Sequence, residues 1–161
     1  MGIAYRAARP TDLERLLPLV EAFARESQWE LPLYALRDDF LDQVRDAMAQ
    51  VLENPAGCVM LAEEDDAHAQ AQLVGYAVGM LQEPPSIFRP EPYIFISDLY
   101  VCPAYRRQGI GTALVERVRG WGWIKGIGRL SAVLPAESGA RTLFARLGFA
   151  PVQTLLYHKD K

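Results

Sequence analysis

The sequence predicts a mixed α/β layered domain whose elements run βααβββαβαβ, and three observations carry that prediction. Apolar residues recur at helical spacing in some stretches and in short strand-like runs in others, and the two kinds interleave along the chain. Turn residues separate them, as at Asn54-Pro55-Ala56-Gly57 and from Pro84 to Pro92. The length of 161 residues, half of them hydrophobic, suits a single domain, 1–161, with its own core.

Each element has a local reason. Ile3 to Arg9 alternates as a short strand does. Thr11-x-x-Glu14 reads as a capping box, opening a helix on which Leu13, Leu16, Leu17, Val20 and Phe23 share a face. Gln28 to Leu33, with Pro32, breaks it. A second helix covers about Leu36 to Leu52, its apolar side being Phe40, Leu41, Val44, Met48 and Val51. Cys58 to Glu63 and Leu73 to Leu81 are strands around a polar loop, with Gly75 and Gly79 as candidate bulges. Tyr93 to Val101 is a long, largely apolar strand. The helix after it runs from Gly109 to about Lys125 on a seam of Ile110, Leu114, Val118 and Trp121. Arg129 to Leu134 is the next strand. Ser138 caps a helix from Gly139 to Leu147, and Gly148 suits its C′ position. Val152 to His158 reads as a closing strand.

The turn Arg106-Arg107-Gln108-Gly109-Ile110-Gly111 lies between a strand and a helix N-terminus. The first N–H groups of a helix have no internal partners, and the aligned peptide dipoles favour negative charge there. Glycine lets an anionic group come close to the backbone, and the two arginines add charge-assisted donors. A phosphorylated ligand is the natural occupant. No Lys-Ser or Lys-Thr follows the glycines, so this is not a P-loop. Leu114 stands where a dinucleotide fingerprint needs its third small residue.

Leu99-Tyr100-Val101-Cys102-Pro103 followed by Arg106-x-x-Gly109-x-Gly111 resembles the acetyl-CoA signature of the GNAT superfamily of N-acyltransferases. The element order matches that fold, so the resemblance extends over essentially the whole chain, most specifically from Asp98 to Thr112. It implies a central mixed, mostly antiparallel twisted sheet flanked by helices. In that fold two central strands splay apart, and the pantetheine arm of the co-substrate acetyl-CoA lies in the gap like an added strand. Carried over, the backbone of Leu99, Tyr100 and Val101 bonds the pantetheine. The N–H groups of Arg107, Gln108, Gly109, Ile110, Gly111 and Thr112 bond the pyrophosphate, with the Arg106 and Arg107 side chains and the Thr112 hydroxyl beside them. Homodimers are frequent in the family.

Transfer to an amine needs a base, a polarised carbonyl and a proton for the departing thiolate. Asp98 is the candidate base, a carboxylate between Ile96 and Leu99 in a sequence similar to polyamine-acetyltransferase motifs. The other reading of Asp98 is a structural acceptor for a neighbouring loop N–H. The backbone N–H near Val101 is the candidate oxyanion donor. The family pattern N-x-x-A-x-x-x-Y-x-x-x-G-F is matched at Ala140 and at Gly148-Phe149, but Glu137 replaces its Asn and Phe144 its Tyr. A phenyl ring has no proton to give, so Tyr157 and Tyr100 are weighed as substitutes against simple packing roles.

Net charge −3 and pI near 5.4 argue against a nucleic-acid partner. No stretch is apolar for long enough to span a membrane, and the first residues lack a signal-peptide layout. Cys58 and Cys102 form no disulfide framework, and with only His68 and His158 beside them no metal cluster is expected; a cytoplasmic protein fits. The acidic residues from Glu26 to Asp46, and Glu63 to Asp66, read either as solvated surface or as a lure for a cationic substrate. Trp29, Tyr34, Phe88 and Tyr93 supply aromatic walls for such a pocket. The expectation is an acetyl-CoA-dependent N-acetyltransferase acting on a small cationic amine. Its rivals are an acyl-CoA-binding module without chemistry, a protein acceptor, and a Rossmann-like nucleotide enzyme.

Overall fold

A computed structural model describes residues 2–30, 35–65, 71–135 and 138–159, with 28–30 as backbone only. Tyr34, Asp66, His68, Glu137 and the side chain of Trp29 therefore lie outside the described residues. The strands are β1 (Ile3–Ala7), β2 (Gly57–Glu64), β3 (Gln72–Gln82), β4 (Tyr93–Val101) and β5 (Leu130–Ala132). The helices are α1 (Leu13–Glu30), α2 (Phe40–Glu53), α3 (Ile110–Ile124) and α4 (Ala140–Arg146). The strands pair in chain order into one five-stranded sheet. β1 to β4 are antiparallel, and β5 runs parallel to β4 over Ile94–Ile96.

Strand residues alternate between two cores because successive side chains point to opposite faces. On one face Leu16, Leu19 and Val20 of α1 and Met48 of α2 pack against Leu61, Tyr76, Val78 and Tyr100. On the other, Ile110, Leu114, Val115 and Val118 of α3 and Phe144 of α4 pack against Met60, Ala77, Ile94 and Ile96. Gly79 lets α3 lie close to the sheet, since a Cβ there would stand 2.6 Å from the Val118 side chain. A Cβ on Gly75 would stand 2.8 Å from the Tyr100 carbonyl oxygen. The extra residues of the two bulges are Val74 and Ser97, next to these glycines rather than at them.

The start of α1 differs from the expected Thr11–Glu14 box. A short 3₁₀ turn, Pro10–Asp12, precedes the helix, and the Arg9 N–H donates to Asp12 Oδ2 at 2.8 Å. Glu14 instead pairs with Arg45 of α2. Asp12 is free for this because Arg6 fixes it, donating to Asp12 at 2.7 and 2.8 Å and to Glu63 at 2.8 and 2.9 Å. Arg15 joins at 3.1 Å to Glu63. Asp12 and Glu63 are buried, and buried carboxylates persist only when paired in this way.

The predicted closing strand is not formed. Val152 to His158 enters no ladder, and Val152 and Leu156 are 95% and 86% exposed. Strand propensity is realised only against a partner edge, and this chain leaves the segment away from any. α1 continues to Glu30, the rest of the expected break lying outside the described residues, and α2 begins at Phe40 rather than Leu36. No described helix is long and apolar enough to cross a membrane.

Candidate active site

The geometry starts from Ser97. Val78 pairs with Asp98 and Gly79 with Ile96, so Ser97 is an unmatched residue in β4. One extra residue reverses the alternation beyond it. Ile94 and Ile96 face α3, whereas Tyr100 faces α1. Asp98 is turned to the Tyr100 side, where the Tyr76 hydroxyl donates to its Oδ2 at 3.0 Å. Tyr76 is fully buried and is held edge-on by Phe23 of α1, ring centroids 6.3 Å apart. Asp98 retains some solvent contact as a residue, but crowding around the carboxyl dominates its titration. Burial pushes the Asp98 pKa above the ordinary Asp range, while the Ser97 and Tyr76 hydroxyls pull it back. Tyr76 is held protonated by its burial and by the neighbouring carboxylate.

The same bulge opens a strand edge. β5 accompanies β4 only as far as Ile96, and no described strand flanks the remainder on that side. Antiparallel pairs alternate in the direction their backbone groups face. The Cys102 N–H donates to the Val74 carbonyl at 2.8 Å, which sets Tyr100 and Asp98 toward β3 and leaves Leu99 and Val101 facing the open edge. The edge leads to the start of α3. A Cβ on Gly111 would lie 3.9 Å from the side chains of both Leu99 and Val101. Arg107 and Gly109 are left-handed, at φ 64° and 83°, a shape that curves successive N–H groups into an anion-binding concavity. The first backbone bond of α3 is Ala113 N–H to Gly109 C=O, so the N–H groups of Ile110, Gly111 and Thr112 precede it and are unused within the helix.

Comparison with known proteins shows the family. Residues 16–149 match the model of the acetyltransferase (GNAT) family. The chain belongs to that family. It is similar to the rice (Oryza sativa subsp. japonica) protein named acetyl transferase GW6a, 28% identical over 69% of this chain. The chain spans only 28% of that relative's length. Among solved structures, a predicted acetyltransferase from Clostridium acetobutylicum with acetyl-CoA aligns at a TM-score of 0.76, 19% identical, covering 98% of this chain and 96% of that one. The aminoglycoside acetyltransferase AAC(6′)-Iy, in complex with the bisubstrate analogue CoA-S-monomethyl-acetylneamine, aligns at 0.72, 18% identical, covering 100% and 99%.

Within this GNAT domain two expected contacts need revision. The backbone of Tyr100 is committed to β3, so Leu99 and Val101 are the edge residues. The Arg106 guanidinium is already engaged, with Glu26 of α1 at 2.8 Å, the Val101 carbonyl at 2.8 Å and the Tyr100 ring at 5.5 Å. It ties the turn to α1 instead of reaching for the helix N-terminus. The Ile110 side chain is core, leaving only its N–H for a ligand. Gln108 donates to the Ala104 carbonyl at 3.3 Å. Arg107 and Thr112 are exposed at the turn.

Phe144, at the family's Tyr position, is buried and packs edge-on with Phe149 at 4.9 Å. Tyr157 lies in the exposed tail, and Tyr100 stacks between Tyr76 and Arg106. Some of the acidic residues expected to attract a cation are answered by arginines. Glu26 meets Arg106, and Asp39 meets Arg37 at 2.7 Å. Asp42 and Asp46 lie on the exposed side of α2. Phe88 and Tyr93 flank the loop before β4, Tyr93 standing roughly 16 Å along the strand from Asp98. Burial pushes the Cys58 thiol up to about 11 and raises Cys102 as well, so neither is a ready nucleophile.

Proposed function

We propose that this protein transfers an acetyl group from acetyl-CoA directly to the amine of a small cationic molecule. The observation that carries the reading is the pairing of Asp98 with an open edge of β4 that leads into an anion-binding helix start. Leu99 and Val101 would pair with the pantetheine amides, and the N–H groups from Arg107 to Thr112 would hold the pyrophosphate. Asp98 accepts a proton from the substrate ammonium, directly or through a water. The free amine then attacks the thioester carbonyl. The N–C bond forms, the nitrogen gives up its surplus proton to water, the C–S bond breaks, and the thiolate leaves and takes up a proton from water. The outward N–H of Val101 would meet the developing oxyanion. Tyr76 is the positioning residue: it holds one carboxylate oxygen and keeps Asp98 ionisable despite burial.

Likeness to an aminoglycoside acetyltransferase supports a polar, amine-bearing small molecule as acceptor. Two free cysteines suit a cytoplasmic setting. A second reading has one specific support: with Phe144 in the core, no phenol stands at the family's proton-donor position, as in a domain that only binds acyl-CoA. Thiol release from acetyl-CoA across polyamines, aminoglycosides, amino acids and peptides separates the two. Release that depends on a small amine supports the enzyme. Thermal stabilisation by acetyl-CoA with no release for any acceptor supports the binding module, and preference for peptides redirects the acceptor to protein.

A further inference from the structure

We propose that Glu26 of α1 is a second positioning residue, which through Arg106 fixes the end of β4 against which the thioester lies. This inference rests on the acetyl-transfer reading. Its starting point is one peptide unit, that between Val101 and Cys102. The N–H of this unit donates to the Val74 carbonyl at 2.8 Å, and its carbonyl accepts from Arg106 Nε at 2.8 Å. A peptide unit is planar, so holding both of its ends pins it as a whole. Val101 then keeps the orientation in which its own N–H faces the open edge.

Arg106 is in turn fixed from α1. Its Nη2 lies 2.8 Å from both carboxylate oxygens of Glu26, and its guanidinium stands over the Tyr100 ring. Arg106 directly precedes the left-handed Arg107, so the same side chain also sets the entry to the anion-binding turn. On the other flank the Tyr105 hydroxyl donates to Glu64. Glu26 and Arg106 are both half-exposed, and such a pair adds little to stability. What the charge-assisted contacts supply is a fixed geometry.

The place of Glu26 on its helix widens the role. Phe23 and Glu26 are three residues apart and so are neighbours on one face of α1. Phe23 packs edge-on against Tyr76, whose hydroxyl holds Asp98. Glu26 holds Arg106 and through it Val101. Asp98 and Val101 stand roughly 10 Å apart along β4. A single turn of α1 thus registers the candidate base against the candidate oxyanion donor. A displacement of about 1 Å between reacting groups can cost roughly 100-fold in rate, so this register has kinetic weight.

The test combines steady-state kinetics with amide exchange of Cys102, the N–H of the pinned unit, in Glu26→Ala, Glu26→Gln, Arg106→Ala and the Glu26→Ala/Arg106→Ala double variant. Glu26→Ala should lower kcat about tenfold and leave the KM for acetyl-CoA within about twofold. Cys102 should exchange at least about fivefold faster, while amides at the centre of β3 keep their protection. Glu26→Gln retains an oxygen for Nη2 and should recover most of the rate. In the Arg106→Ala background, Glu26→Ala should cost nothing further, because it acts through that side chain. A loss of kcat that persists in that background would show Glu26 acting on the acceptor directly and overturn the proposal. Unchanged kcat, or Cys102 exchange indifferent to Glu26→Ala, would overturn it equally. Should the unaltered protein release no thiol for any amine, the transfer reading falls, and Cys102 exchange still decides whether Glu26 fixes the end of β4.

Discussion

At the scale of single residues, a general base works best with a pKa near the working pH. Asp98 is moved toward that range by burial and held back by two hydroxyls. Asp98→Asn is expected to lower kcat by about 100-fold or more while acetyl-CoA affinity stays unchanged; steady-state kinetics beside a binding titration checks both. Tyr76→Phe removes a donor that favours the ionised form, so the Asp98 pKa must rise further. The acidic limb of kcat/KM should therefore move to higher pH, and a limb that stays in place would reduce Tyr76 to packing. Asp98 could be proposed from the sequence because it sits at a fixed offset from the Leu99-to-Pro103 motif. Tyr76 was not, because its partnership is cross-strand and depends on a register that the bulge sets. The partner of Arg106 was hidden for a related reason. Its neighbours in sequence suggested a phosphate donor, but Glu26, far away along the chain, claims it first.

At the scale of elements, the turn into α3 and the seat of α3 on the sheet rest on two glycines for different reasons. Gly109 has open space around its missing Cβ but a φ of 83°, so its constraint is conformational. Gly109→Val should cost roughly 1–3 kcal/mol of backbone strain and weaken acetyl-CoA binding, seen by calorimetry, while the fold persists. Gly79 has the opposite problem. Its added methyl would meet Val118, Cys58 and Ile94 within 2.6 to 3.2 Å, so Gly79→Ala should destabilise the protein by about 1–3 kcal/mol in denaturant titrations. Long periodic elements such as α3 and β4 were readable almost to their ends, since burial enforces the period. The closing strand was misplaced because its pattern states only that it can pair, not that an edge lies within reach.

For the whole molecule, the ion network of Arg6, Asp12, Glu63 and Arg15 joins the chain's beginning to its middle. Hydrogen bonds from Arg6 hold the Asp12 carboxyl at about 2 and lower Glu63 as well. A carboxylate with a depressed folded pKa stabilises the fold above its unfolded value and loses that contribution as pH falls through the folded one. Stability should therefore fall from about pH 4 toward about pH 2. Asp12→Asn should be less stable at neutrality by roughly 1–2 kcal/mol, discounted because Arg6 is partly solvated, and should show a flatter acid limb. Urea titrations at several pH values give the comparison. The layered arrangement was legible from the order of periodic segments, whereas this network was not, because its members are scattered charges that look like ordinary surface.

The unmatched Ser97 has a consequence for how β4 tolerates change. Its side chain is exposed and its identity matters little to either core. The extra residue is what lets even-numbered positions of one strand serve both cores: were Ser97 drawn into the ladder by a one-residue slip, Asp98 and Tyr100 would turn to the α3 side and Leu99 and Val101 the other way. Removing Ser97 outright would instead leave Ile96 opposite Gly79 and Asp98 opposite Val78 in a regular ladder, with the acid still on the α1 side. What the two cores cannot absorb here is a slip of register.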